Sequence, residues 1–473
     1  MKLTCDVVFV APPLLWGQER RLDLKPPLNL LYLASYVNAR GWRAAILDVL
    51  ADQSSLPRVL DRLDELQPRF LGVPFYQSTV ATALRLCREA RQRLPRLPII
   101  AGGPLATTSP EELLQHDCID LCVLGEGELT VEALLRLPEH FTTAALHAVT
   151  GIAFRENGAV VRTPARAPIA ELDSLPFLDG TLVNLKAYYD FQESLGMPRW
   201  FFLSTSRGCP FCCVFCATPV LWPGALRRVT VERLKQEIEF QRSVDPGVNL
   251  GFMDDCFFSD KQWLGEFFAM IAPFQLKYCC IGRADHLTPD DVDRLAATGC
   301  HYVALGVESG NQAFQKKIKK YLNLDSVRKS IERLAKTSIA TKCFFMLGFP
   351  DETPEEMLQT INFAIELKRL GMTEGNFFPV SVYPGTQLAE QVPAAVQVSA
   401  VYESFDFENL SVAETLRQGG DIGEKRLSIY ANLPAAQVNR YCTQAQLVEI
   451  IKWAYQKLER AEFASLKELQ TFL

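Results

Sequence analysis

The sequence predicts an α/β chain: a Rossmann-like, doubly wound domain, then a partial (β/α)6 TIM-like barrel, then a helical C-terminal region. Three observations carry this. Over residues 1–150 short β-rich runs alternate with amphipathic helical stretches. From about Arg199 to Tyr383 a second such series follows, and beyond Leu388 the spacing looks helical. The β-rich runs are almost continuously apolar, as strands of a parallel sheet covered on both faces must be.

In the first domain, 1–150, strands are expected at Asp6–Ala11, Arg43–Val49, Arg69–Val73, Pro98–Ala101 and Asp120–Leu124, with helices in the gaps. The segment 151–195 reads as a linker. It holds a hairpin signal, Ile152–Phe154 and Val160–Arg162 around Glu156-Asn157-Gly158, and then a proline-rich stretch. The barrel occupies 196–387, with strands expected at Trp200–Ser204, Val248–Met253, Tyr278–Ile281, Tyr302–Gly306, Lys342–Leu347 and Gly375–Val382. Within the helical region, 388–473, the last helix starts after Thr443 as N-cap. It places Leu447, Ile450, Ile451, Ala454 and Leu458 on one face, for packing against the barrel. Ligands of both architectures are expected beyond the C-terminal ends of the strands.

Composition narrows the function classes. Hydrophobic residues are 48% and charged residues 22%, so long disorder is not the main feature. The net charge of −6 argues against a nucleic-acid binder working by bulk charge. No apolar run has the roughly 18 residues of a membrane helix. The start, MKLTCDVVFVAPP, turns strand-like too early for a signal peptide, and a cytoplasmic location is expected. The chain has 14 cysteines, too many thiols in too long a chain for a disulfide framework. Ten of them sit in apolar or helical contexts and read as small buried hydrophobes.

The other four are packed into Thr205-Ser206-Arg207-Gly208-Cys209-Pro210-Phe211-Cys212-Cys213-Val214-Phe215-Cys216, directly after the first barrel strand. Three thiolates at C-x3-C-x2-C can ligate three irons of a [4Fe–4S] cluster and leave the fourth iron open, as a catalytic site requires. A zinc site has no spacer between its two pairs here. A redox disulfide between Cys209 and Cys212 lacks a thioredoxin-like context, and a structural cluster lacks a fourth ligand. The spacing leaves two registers open, Cys209/Cys213/Cys216 and Cys209/Cys212/Cys216.

This loop, SRGCPFCCVFC after the first barrel strand, resembles the radical S-adenosylmethionine (SAM) enzymes. With the β-α domain before it and the linker ending Leu172-Asp173-Ser174-Leu175-Pro176-Phe177, the chain resembles the subgroup with an N-terminal cobalamin-binding domain. The resemblance implies Cys209, Cys213 and Cys216 as cluster ligands, with Cys212 a bystander. It implies Asp254 and Asp255, at the second strand's end, near the SAM amino group. Arg283 and Glu308-Ser309 would hold the SAM carboxylate and ribose. Gly348-Phe349-Pro350-Asp351-Glu352-Thr353 resembles the family's turn after the fifth strand, and Thr353-Pro354 also reads as an ordinary helix start.

In the first domain the resemblance implies cobalamin contacts from Ser78 and Thr79, from Gly102, Gly103 and Pro104, and from Gly125, Glu126 and Gly127. Glycine lets a ligand approach the backbone at such turns. The loop after the first strand, Ala11-Pro12-Pro13-Leu14-Leu15-Trp16-Gly17, has no histidine, and Leu105 follows the Gly-Gly-Pro turn. A bound cobalamin would then lack a protein imidazole, or the domain would be degenerate. The implied activity is SAM cleavage to a 5′-deoxyadenosyl radical and C-methylation of an unactivated carbon in a small-molecule or lipid intermediate. A flavodoxin or ferredoxin would be the electron donor. A non-methylating radical reaction on the same architecture, and a non-catalytic iron–sulfur protein, are the alternatives.

Overall fold

The computed structural model describes residues 5–13, 16, 25–138, 142–392 and 438–473. Leu14, Leu15, Gly17, His140 and the stretch 393–437 of the expected helical region therefore lie outside the described residues. The chain divides into two compact units whose main boundary falls between Phe202 and Leu203.

The first unit is built on a seven-stranded sheet of order β2-β1-β3-β4-β5-β6-β7. Its strands are β1 (Val7–Ala11), β2 (Ala44–Asp48), β3 (Phe70–Pro74), β4 (Ile99–Gly102), β5 (Leu121–Val123), β6 (Ile152–Glu156) and β7 (Ala159–Arg162). The first five pair in parallel in a 2-1-3-4-5 order, as expected of a doubly wound fold. β3 is buried at every position, because helices cover both of its faces. The hairpin expected in a linker is instead the end of this sheet. β6 pairs antiparallel with β5, and β7 closes the edge. The reason is that β5 would otherwise present unpaired N–H and C=O groups. Behind it the chain stays with the first unit. Helix Leu185–Ser194, not foreseen in the sequence, is tied in by a buried hydrogen bond from Tyr188 Oη to Asp48.

The second sheet, which begins at the boundary between the units, has six strands in sequential order: β8 (Trp200–Leu203), β11 (Asn249–Phe252), β12 (Tyr278–Arg283), β13 (Cys300–Glu308), β14 (Ala340–Leu347) and β15 (Glu374–Pro379). The recorded pairings from β11 to β15 are all parallel, the sheet is not closed, and the partial barrel is open. β14 alternates buried and half-buried along its length, unlike β3. One face packs under helices and the other lines the open side. Between β8 and β11 lie two short strands, β9 (Ser206–Arg207) and β10 (Arg227–Arg228), which pair antiparallel as a separate ribbon.

The helix starts obey local chemistry. Thr353 and Thr443 each form a reciprocal capping box, with Glu356 and Gln446, and Pro354 occupies the first turn where its missing N–H costs nothing. Helix Gln444–Arg460 buries Leu447, Ile450, Ile451, Ala454 and Leu458, the face expected. It packs onto the open sheet: Tyr455 Oη accepts a hydrogen bond from Phe377 N on β15 at 3.0 Å.

Candidate functional site

In the first unit the loops after β3, β4 and β5 stand at the C-terminal strand ends. Gly102 and Gly103 do not form an open loop: helix Gly103–Thr108 begins at once, because Pro104 fits a first helical turn. Gly103 has φ +84, a left-handed backbone that favours glycine, while a Cβ there would meet the Phe75 backbone only at ordinary contact distance, 3.4 Å. A Cβ on Gly102 or Gly125 would meet nothing within 4 Å, which leaves space above both. Thr107 Oγ1 couples the two turns, donating to Gly103 O and accepting from Gly125 N, each at 3.0 Å. Thr79 Oγ1 is buried with no hydrogen-bond partner, while Ser78 is exposed. Glu126 and Gly127 serve the fold. Glu126 accepts from Ile169 N at 2.8 Å, and a Cβ on Gly127 would come within 2.8 Å of Leu33 Cδ2. An orphan hydroxyl beside two open glycine turns fits a ligand with polar groups and a broad face, such as a cobalamin.

In the second unit the β9–β10 ribbon closes the base of a loop over residues 208–226 that contains the four clustered cysteines. Asp254 holds the ribbon from beneath. Its carboxylate accepts from Thr205 N at 3.2 Å, from Thr205 Oγ1 at 2.9 Å and from Ser206 Oγ. Arg228 lies close enough to lower the cost of that buried charge, although burial still leaves the Asp254 carboxyl above its usual range. Arg228 also donates to the carbonyls of Cys256 and Phe257 at 2.8 and 2.9 Å, with its guanidinium 4.7 Å over the Trp263 ring. The loop's middle is anchored by its apolar pair. Val214 enters a buried cluster with Phe314, Ile318, Phe349 and Leu388, Phe215 packs against it, and Val214 N donates to Ile318 O at 3.1 Å. This is why Val214 and Phe215 separate the cysteines: they pin the turn in which Cys216 N bonds Cys213 O at 3.1 Å.

Cys209, Cys213 and Cys216 are half-buried, and Cys212 is exposed. Burial pushes the Cys213 thiol up to about 11 and raises Cys216 as well. Cys209 is held protonated first by its hydrogen bond with Cys256 and then by burial. A metal centre would have to displace these protons, as thiolate ligation always does. The three thiols are spread along the loop: among the described residues no three His, Cys, Asp or Glu side chains converge on a single-ion position. Thiol chemistry on a pinned, half-exposed loop fits an iron–sulfur cluster.

The other expected residues surround this loop unequally. Asp255, next to the buried Asp254, is exposed. Crowding of its carboxyl by protein and the neighbouring Asp254 push it up to about 6, against a hydrogen bond from Thr218. Arg283, 5% exposed, forks onto Asp285 at 3.1 and 2.9 Å and donates from Nη2 to the Lys320 carbonyl at 2.8 Å. Its Nη1 is buried without a partner, and its guanidinium stacks 4.0 Å over Phe211 of the cysteine loop. An unpaired buried guanidinium N–H is a place for a ligand carboxylate. Glu308 has φ +68 at an irregularity in the β13–β14 register and pairs with Lys320 Nζ at 3.0 Å. Ser309 is fully buried and committed to Asn311 N and Thr360 Oγ1, both at 3.2 Å. Glu352 closes the turn after β14, accepting from Gly348 N and Phe349 N at 2.7 and 3.2 Å. Sequence reasoning missed Phe211, Arg228, Cys256 and Lys320. Only Phe211, inside the motif, carried a signal.

Fold and site together define a two-unit α/β protein with a three-thiol loop at the strand ends of an open parallel sheet. A family model described as the B12 binding domain matches residues 22–135, and one described as the Radical SAM superfamily matches 203–364. These matches place the chain among radical SAM enzymes with an N-terminal B12-binding domain, whose cofactors are a [4Fe–4S] cluster, SAM and cobalamin. The chain is 29% identical over 392 residues to the uncharacterized methyltransferase PH0819 of Pyrococcus horikoshii, covering 81% of this chain and 82% of that one. It is 26% identical to the anaerobic magnesium-protoporphyrin IX monomethyl ester cyclase of Rubrivivax gelatinosus, covering 85% and 71%. Among solved structures it matches the radical SAM methyltransferase TsrM of Kitasatospora setae with a TM-score of 0.67 at 18% identity, covering 81% and 76%. At that identity the likeness is one of fold.

Proposed function

We propose that this protein is a cobalamin-dependent C-methyltransferase that uses a SAM-derived radical on an unactivated carbon of a small-molecule or lipid biosynthetic intermediate. The observation that carries it is the pinned three-thiol loop beside the orphan Nη1 of Arg283, in a chain with a B12-binding domain. When bound, the reduced cluster and SAM supply a hydrogen-abstracting radical, and the cobalamin supplies a transferable methyl group.

The chain's own residues do the rest. Cys209, Cys213 and Cys216 hold the cluster, with their loop fixed by Val214 and by the Asp254–Ser206 and Asp254–Thr205 bonds. Arg283 offers Nη1 to the SAM carboxylate, and Glu308 offers a carboxylate to the ribose hydroxyls. Of the acidic pair, Asp255 is the one whose exposure suits an ammonium ligand, and Asp254 keeps the ribbon in place. Ser309 supports the turn after Glu308. In the first unit Gly102, Gly103, Pro104 and Gly125 shape the cobalamin surface, and Ser78 and Thr79 supply hydroxyls to it. Glu126 and Gly127 brace it. A flavodoxin or ferredoxin would deliver the electron. The free state of all fourteen cysteines suits a cytoplasmic location. No helix among the described residues is long and apolar enough to cross a membrane.

The likeness to the cyclase favours one second reading, a non-methylating radical reaction on the same architecture. Anaerobic turnover with deuterated-methyl SAM separates the two. Label in the product and S-adenosylhomocysteine alongside 5′-deoxyadenosine support methylation. Substrate conversion with 5′-deoxyadenosine and no label refutes it.

A further inference from the structure

The turn after helix Gln312–Lys317 inverts the usual order of burial: Lys320 is 8% exposed and its neighbour Tyr321 is 64% exposed. Lys319 and Tyr321, on either side, both take left-handed backbone, φ 52 and 53, which is unfavourable for a residue with a Cβ. The turn is tied to the end of β13. Lys320 N and Tyr321 N both donate to Gln315 O at 3.0 Å, and Gln315 Nε2 donates to Val307 O and Ser309 O at 2.7 and 2.6 Å. Room for the buried ammonium comes from Gly306. A Cβ there would come within 2.6 Å of Glu308 Oε1 and 2.9 Å of Lys320 Nζ. Strain, a required glycine and a fully buried glutamine thus cooperate to place one positive charge inside the site. Lys320 also meets both residues expected to hold SAM, Glu308 through Nζ and Arg283 through its carbonyl.

We infer that Lys320 is a positioning residue for the cluster: braced by Glu308, in a turn tied to the cysteine loop by the bond from Val214 N to Ile318 O, its fixed positive charge favours the reduced state of a cluster held by that loop. Burial works against the lysine's charge, and the Glu308 carboxylate opposes that burial and holds the ammonium charged. The inference rests on the radical SAM reading of the cysteine loop, and its test separates the two. The test compares midpoint potentials of reconstituted wild type, Lys320→Gln, Lys320→Met and Lys320→Arg. Each is followed by the EPR signal of the reduced cluster, with iron content measured in parallel. Gln still bonds Glu308 while losing the charge, so a merely structural role would leave its potential unmoved. The neutral variants are expected to shift to more negative potential, and the Arg variant to stay near wild type. Neutral variants that take up iron at the wild-type potential overturn the inference. A wild-type chain that assembles no four-iron cluster overturns the parent reading instead.

Discussion

Glu352 gives the sharpest pH prediction. Its side chain is fully buried, one carboxyl oxygen accepts from Gly348 N and Phe349 N, and the other has no partner. Burial outweighs those hydrogen bonds and pushes the group from 4.5 up to about 8. The folded state therefore keeps a proton that the unfolded chain releases. The stabilising contribution is fully present below pH 4.5, declines as pH rises, and is gone above about pH 8. At about 1.4 kcal/mol per pH unit, the window corresponds to something on the order of 3–5 kcal/mol. Glu352→Gln is neutral at every pH and can still accept from both N–H groups. Its buried amide nitrogen carries a cost of about 1–3 kcal/mol that does not vary with pH. The assay is the melting temperature of ligand-free protein between pH 5 and pH 8, wild type against variant. All other titrating groups are common to both, so the difference of slopes isolates Glu352. The wild type should lose roughly 5–10 °C more than the variant across the window. An infrared band of a protonated carboxyl at neutral pH, missing in the variant, is the direct counterpart. Parallel melting profiles would refute the reasoning.

Four further outcomes are expected. Replacing Cys209, Cys213 or Cys216 with Ala should abolish iron retention after anaerobic reconstitution, whereas Cys212→Ala, at an exposed position, should keep it; equal loss in all four would reject the register. Asp254→Asn weakens the buried carboxylate's hydrogen bonds with Thr205 and Ser206 and removes one of the charges facing Arg228, and should cost about 1–3 kcal/mol, visible in calorimetry, while Asp255→Asn should not lower the melting temperature. Gly102→Ala enters open space and should fold normally yet weaken cobalamin retention in the visible spectrum. Gly310→Ala should fail to fold, because its Cβ would lie 2.4 Å from Phe363 Cβ and 2.7 Å from Gln359 O. Stable Gly310→Ala protein would contradict that packing.

Much of the fold was legible because its signals are local. The C-terminal helix begins after Thr443 because a threonine followed three residues later by glutamine satisfies its own N-terminal donors. Helix Leu28–Ala39 matches the apolar stretch between the first two strands. What was missed depended on partners distant in sequence. The β6–β7 hairpin reads as local, but only the unpaired edge of β5 decides that it joins the sheet. β9 and β10 are two residues each, too short for any periodicity, and pair across the whole cysteine loop. Asp254 and Asp255 are equal in sequence and opposite in environment: one lies under the ribbon and the other faces out.

The same division holds for the site. The sequence alone determined two parallel α/β architectures, the three-cysteine loop between a strand and a helix, and the residues at the strand ends. Spacing and side-chain chemistry are written in consecutive positions. Only the tertiary structure decided which of those residues are free to meet a ligand. It committed Ser309, Asp254 and Glu126 to the fold, left Arg283 Nη1 and Thr79 Oγ1 unpartnered, and brought Lys320 from a separate turn onto Glu308. The physical reason is that a polar group's role depends on whether its hydrogen bonds and charge are already satisfied. That balance is set by residues 12 to 51 positions away, in β13, Thr205 and Thr360.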